Sequence, residues 1–403
     1  MITAAARALA AGDPIGALNR ISLRDDAPAL ALRGIAMAQL GDLARAKDLV
    51  RRAQRAFGPK EAVARARCVV AEAEIALVSR DLAWPTQALD AARATLDSHG
   101  DRVNAAHAGY LEVRRLVLIG RLDDAERILA GLDASALPPA LQAAHALAAA
   151  GVAMRHVRAR AAREALARAA QAASRAGIPA LSAEVEAASQ ALDTPAARVV
   201  SQGGERPLLL EDVESLLASK ALVVDACRLV VREGGISVSL VSRPVLFMLA
   251  RALAEAWPGD ATRDALVARA FRGKVADESY RARLRVEVGR LRAELRPLAD
   301  LRATRQGFAL VPRHAREVFV LARPVEEKYA AVLALLADGE SWSTSALSLA
   351  LAASQRNVQR ALDVLATEGK VQPVGRGRAR RWMTPPVPGF ATALLLPAPL
   401  PSD

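Results

Sequence analysis

Residues Tyr280 to Phe308 read YRARLRVEVGRLRAEL followed by RPLADLRATRQGF. Leu284, Val288, Leu291 and Leu295 recur at i, i+4, i+7 and i+11, the spacing of one buried stripe along an α-helix. Arg281, Arg283, Arg285, Arg290 and Arg292 fall largely off that stripe. The stretch therefore predicts an amphipathic helix with a cationic face, running into a short basic hairpin. One reading of such a helix is a solvated charged face. The other is a helix laid in the major groove of a duplex with a strand pair beside it, and the residues around it bear on the choice.

Upstream, Leu222 to Val231 (LVVDACRLVV) and Gly235 to Leu240 (GISVSL) are short runs with β-branched residues, split by Glu233-Gly234-Gly235, and predict strands. Pro244 to Ala256 predicts an apolar helix closed by Pro258-Gly259. Thr262 is placed to cap a second helix, DALVARAF, from Asp264 to Phe271. The arginine-bearing helix is then the third, and LRATRQGFALVP closes the unit as a β-hairpin.

With these pieces in order, residues 221 to 313 resemble the winged-helix effector domain of the OmpR/PhoB type. The matching segments are LVVD, VLFMLARAL, TRDALVARAF, RLRAEL and TRQGFAL. The resemblance implies that Arg281, Arg283, Arg285, Thr304 and Arg305 contact bases and phosphates. The chain departs from the family in its shorter wing and in Gly289, which stands where a basic residue is common. Family members carrying an N-terminal receiver are switched by a phosphorylated aspartate, and no such domain is expected here.

A second candidate follows. Pro324 to Ala337 predicts a helix closed by Asp338-Gly339, and Ser343 to Ala352 a shorter one. Ser354 caps QRNVQRALDVLATEG, whose Val358, Leu362 and Leu365 face inward at helical spacing. Gln355, Arg356, Gln359 and Arg360 are left outside, types that read base edges or bind phosphate. KVQPVGRGRARRWM, from Lys370 to Met383, has strand-like ends around a Gly/Arg turn. This pattern is similar to the winged helix-turn-helix of MarR-like repressors, which implies a wing formed by Arg376, Arg378, Arg380 and Arg381. A basic fold of this kind used for protein contacts is the alternative.

The first 200 residues are alanine-rich and helical in pattern, with turns at Gly41-Asp42-Leu43, Arg80-Asp81-Leu82, Gly120-Arg121-Leu122 and near Ala159. That interval of roughly 40 residues suits stacked helix-pair repeats. Leu30, Gly34, Met37, Gly41, Leu43, Ala46, Val50, Ala53 and Pro59 resemble the tetratricopeptide pattern, in which small residues let two helices approach. Leu116, Gly120, Leu122, Ala125, Leu129 and Pro138 repeat part of it. The surface of such a stack commonly holds a peptide or partner protein, and a structural or dimerising role is the alternative.

Charge and composition bound the rest. A net charge of +12 suits a polyanionic partner, although basic residues are spread over the whole chain, so local clustering is the stronger argument. Aromatic residues make up only 3%, which argues against stacking platforms for single strands. Cys68 and Cys227 fall in different expected domains, which leaves no disulfide framework. His99, His107, His145, His156 and His314 lack metal-ligand spacing, and no phosphate-binding glycine loop occurs.

The expected organisation is mainly α with small β-sheets: an α-solenoid over 1–200, a linker over 201–220, an OmpR/PhoB-type winged helix over 221–315, a second over 324–384, and a proline-rich apolar tail over 385–403 that packs back on the last domain. The expected function is a cytoplasmic, nucleoid-associated transcription regulator that binds double-stranded DNA and is gated by the solenoid. No enzymatic activity, cofactor, metal or membrane association is expected. Two alternatives stay open, a protein-interaction adaptor and a DNA-binding subunit of a defence or genome-maintenance system.

Overall fold

The structure is a computed structural model that describes residues 1–82, 84–201, 204–271, 278–324, 329–336, 340–375, 377 and 380–384. The chain divides into two compact units: residues 1–156 and 160–191 with the described residues after 326, and residues 157–159 with 192–326. No described helix is long and apolar enough to cross a membrane.

The first unit opens with α1 (Ile2–Ala10), α2 (Pro14–Ile21), α3 (Ala27–Gln39) and α4 (Leu43–Ala56). It continues through α5 (Ala62–Val78), α6 (Thr86–Ser98), α7 (Arg102–Leu118) and α8 (Leu122–Ala130). Then come α9 (Pro139–Arg155), α10 (Ala159–Ala176) and α11 (Pro179–Gln190). Aspartates start four of these helices: Asp13, Asp26, Asp42 and Asp101 accept the otherwise orphaned N–H of Gly16, Ala29, Arg45 and Asn104. Each of α3, α5, α7 and α9 also touches the odd-numbered helix that follows it, so the helices stack in pairs.

Gly34 shows why small residues recur. A Cβ there would lie 2.7 Å from Val50 and 3.1 Å from the Ala46 carbonyl, so α3 and α4 meet at backbone distance. The expected turns are present as positive-φ residues after α3 and α7, Gly41 (φ 85°) and Gly120 (φ 77°). The equivalent residue after α5 is Arg80 (φ 51°), a backbone conformation that costs a side-chain-bearing residue roughly 1–2 kcal/mol.

The second unit begins with strands β1 (Ala197–Ser201) and β2 (Gly204–Leu208) and helix α12 (Leu210–Ala218). β2 lies in the stretch expected to be a linker and β1 at the end of the stretch expected to be solenoid, whereas α12 falls where the apolar pattern of 208–219 suits a short helix. β1 pairs antiparallel with β2 and finds a second partner far along the chain, β9 (Val318–Ala322). Between them lie β3 (Leu222–Asp225), β4 (Val230–Glu233) and β5 (Ile236–Ser239), giving one six-stranded sheet in the order β2-β1-β9-β3-β4-β5. The run 222–231, expected as one strand, folds into two because the buried carboxylate of Asp225 accepts the backbone N–H of Cys227 and Arg228, closing a turn. That burial raises the pKa of Asp225 above the usual carboxylate range.

α13 (Pro244–Ala256) follows, then β6 (Asp260–Thr262), α14 (Arg263–Phe271), α15 (Glu278–Leu295), β7 (Ala299–Ala303) and β8 (Gly307–Pro312). Strands β6, β8 and β7 form a three-stranded sheet in that order. Leu246, Leu249, Leu253, Leu266, Leu284, Val288, Leu291 and Leu295 share one core with both sheets.

The chain then returns to the first unit as α16 (Ala330–Leu336), α17 (Thr344–Ala350), α18 (Gln355–Thr367) and the hairpin β10 (Gln372–Val374) and β11 (Arg381–Met383). Ser343 and Ser354 cap α17 and α18 through their hydroxyls. Val332, Leu336, Trp342, Leu347, Leu362 and Trp382 are buried in the same core as Leu77, Leu82 and Leu89. This segment, expected as a free-standing domain, thus shares its interior with α5 and α6. The tail 385–403 lies outside the described residues.

Candidate nucleic-acid interface

α15 holds its inward stripe as the spacing requires: Leu284, Val288, Leu291 and Leu295 are all buried. Arg281, Arg283, Arg285, Arg290 and Arg292 are exposed. Directly opposite the stripe runs a second series at the same spacing, Ala282, Val286, Gly289 and Ala293, also exposed. Helical geometry places Arg283 and Arg290 along one flank of this small-residue ridge, and Arg285 and Arg292 along the other. The outermost line of the helix is therefore slim, with a cationic rail on each side. Val286 is 54% exposed, a large apolar side chain on the outermost line of the helix. A Cβ on Gly289 would meet nothing within 4 Å, so packing does not require glycine there.

The arginines differ in how they are held. Arg283 lies over the Phe271 ring at 4.6 Å, and Arg290 pairs with Glu287 at 2.9 Å. Arg281 is 3.9 Å from Asp264. Arg285 has no ion-pair or hydrogen-bond partner among the described residues. Exposed pairs of this kind contribute about 0–1 kcal/mol, so a phosphate can replace them at little cost. Arg292 is the exception, since it donates to the Leu301 carbonyl and pairs with Asp300 at 3.2 Å, tying α15 to β7.

At the hairpin tip Arg305 is exposed, but Thr304 is turned inward. Its hydroxyl donates to Asp260 and accepts the Gly307 N–H, so it closes the turn and is not presented to a ligand. Gly307 allows this closure, because a Cβ would fall 1.8 Å from the Ala261 carbonyl oxygen. Arg263, absent from the sequence-based candidates, holds the tip from below: its guanidinium donates to the carbonyls of Thr304 (3.1 Å) and Arg305 (2.9 Å). Nothing local signals this role, since the partners lie about forty residues further on. Val286 could have been found, as a large apolar residue off the buried stripe and between flanking arginines.

The second candidate set is brought together only in part. Gln355, Arg356 and Arg360 are exposed on α18. Gln359 is half-buried, accepting the Thr344 hydroxyl at 3.1 Å and donating to Asp363 at 2.8 Å. Arg380 is exposed and lies 4.2 Å over the Trp382 ring. Arg381, expected on a wing, points the other way and donates to the carbonyls of Ser79 and Ser341. It is a tether to the end of α5, where Arg80 lies 5.5 Å over the Trp342 ring. Arg376 and Arg378 lie outside the described residues.

Among the described residues no group of three histidine, cysteine or acidic side chains is placed to hold a metal. Burial pushes the Cys68 thiol up to about 12, which leaves little thiolate at neutral pH. Comparison of the chain with family models, with curated proteins and with solved structures gives no match.

Proposed function

We propose that the chain is a sequence-specific double-stranded DNA-binding transcription regulator that reads the major groove with α15. In this reading α13 to α15 with β6 to β8 are a winged helix, α16 to α18 with β10 and β11 a second one, and α1 to α11 a solenoid that serves as the input part. The observation that carries the proposal is the outward face of α15. The major groove is about 12 Å wide, and a slim ridge lets the helix backbone approach the base edges. Arginines on the two flanks then meet phosphates or guanine edges on either side, and exposed Val286 suits contact with a thymine methyl.

The test is selection of bound duplexes by the intact chain, followed by binding across a salt series. A preferred sequence should emerge, and the joint substitution Arg283→Ala with Arg285→Ala should reduce the preference by about 2–6 kcal/mol, at 1–3 kcal/mol for each good base contact. Binding with no preferred sequence in the intact chain would overturn the proposal.

For residues 330–384 a specific observation favours another role. Their core is continuous with that of α5 and α6, and Arg381 is committed to that contact. We propose that this motif is chiefly an anchored part of the helical stack, with Arg356 and Arg360 adding sequence-independent phosphate attraction.

A further inference from the structure

Along α5, α7, α9 and α11 runs a groove of about 230 Å³, lined by Val117, Leu118, Leu147, Ala148, Gly151 and Met154 among others. It is smaller than the roughly 300–1,000 Å³ of sites that enclose small molecules, and it suits a few apolar side chains of a segment laid along it. Its charged rim groups are already engaged within the stack. Arg114 pairs with Glu184 across α7 and α11 at 3.1 Å, and Arg80 is stacked on Trp342. An uncharged occupant is therefore the one that fits.

We propose that this groove receives the chain's own C-terminal segment, 390–400. From Pro385 to Ser402 the sequence PPVPGFATALLLPAPLPS carries no charged residue and includes FATALLL, a run with the apolar character of the groove wall. The point where the described chain stops places this segment close by. Arg381 bonds to the Ser79 carbonyl, and Leu77 and Arg80, on either side of it, both line the groove. Five residues, 385–389, can extend up to roughly 17 Å, enough to carry Phe390 from Thr384 toward the lining. Tethering supplies a high effective concentration, so even a weak apolar contact is populated.

Gly151 gives a second argument. It sits inside α9, where glycine costs roughly 0.5–1 kcal/mol relative to alanine, and a Cβ there would meet nothing within 4 Å. Packing within the stack does not call for it, whereas a segment lying against α9 would. Occupation would add a second attachment of residues 330–384 to the helical stack, and the inference stands whether or not α15 binds DNA.

The experiment uses the full chain with p-benzoylphenylalanine in place of Leu395, irradiated at low protein concentration, with cross-links located by mass spectrometry. Cross-links within one chain to peptides of α7, α9 or α11 are expected. Gly151→Trp should remove them while leaving the circular dichroism spectrum unchanged, because the added side chain enters open space. As a control that leaves the stack untouched, Leu394→Ser with Leu396→Ser should also reduce them. Cross-links to other regions, cross-links only between two chains, or a yield indifferent to Gly151→Trp would each overturn the proposal.

Discussion

Residues 244–312 and 330–383 both run through three helices and then a hairpin, the first with strand β6 added between its first two helices, yet they present different outer faces. On α15 the line opposite the buried stripe is Ala282, Val286, Gly289 and Ala293, and arginines flank it. On α18 the corresponding line is Arg356, Arg360, Asp363 and Thr367, long or polar side chains that include an acid. The first face lets a backbone come close to a surface and surrounds the approach with positive charge. The second holds a surface off and opposes phosphate with a carboxylate. The hairpins differ as well: β7 and β8 pair over five positions, while β10 and β11 pair over three and are tied by Arg381 to α5. Similar strings of helix, helix, helix and basic hairpin can thus build an exposed cationic helix or a docked plug, depending on where the arginines point.

The most forceful way to break this comparison is Trp342→Ala. Trp342 is fully buried, exchanges backbone hydrogen bonds with Trp382 and lies in the core shared by α5, α6 and α16 to α18. Truncating a buried tryptophan costs about 3–5 kcal/mol. Amide hydrogen exchange should accelerate in 330–384 and in α5 and α6 together, and stay unchanged in 244–312. Exchange that accelerates in 330–384 alone would mean that the motif is an independent domain.

What could be read from the sequence was local. The α15 stripe, the bounds of α13, and the caps Thr262, Ser343 and Ser354 all follow from periodicity and capping within a dozen residues. The pairing of β1 with β2 was hidden because the polar sequence around it suits a linker. The distant partner β9, which also pairs with β1, is not visible to any local pattern. Arg381 failed for a related reason. Its partner Ser79 is 302 residues away, and no spacing rule reports a contact of that separation. Arg381→Ala should therefore act on stability: two part-buried carbonyls lose a charged donor, at about 1–3 kcal/mol. The expected outcome is a lower midpoint of denaturant unfolding with duplex binding retained. Lost binding at unchanged stability would restore Arg381 to a wing.

The finest test separates the two outer faces at a single position. Gly289 lies inside α15 with open space where a Cβ would be, so Gly289→Ala should stabilise the fold by roughly 0.5–1 kcal/mol through lower unfolded-state entropy and better helix propensity. If α15 approaches bases closely, alanine remains small enough for binding to persist, whereas Gly289→Trp should abolish it with the fold intact. The matched substitution on the other motif, Arg360→Trp, should remove only a phosphate contact and lower the slope of log affinity against log salt by about 0.9. Equal loss of sequence preference in both tryptophan variants would show that the two helices read DNA alike. Unchanged binding in Gly289→Trp would show that the slim ridge of α15 faces no groove at all. The pair of measurements therefore distinguishes a close approach of the helix from the general attraction of a basic protein, because bulk at a glycine disturbs the first and leaves the second as it was.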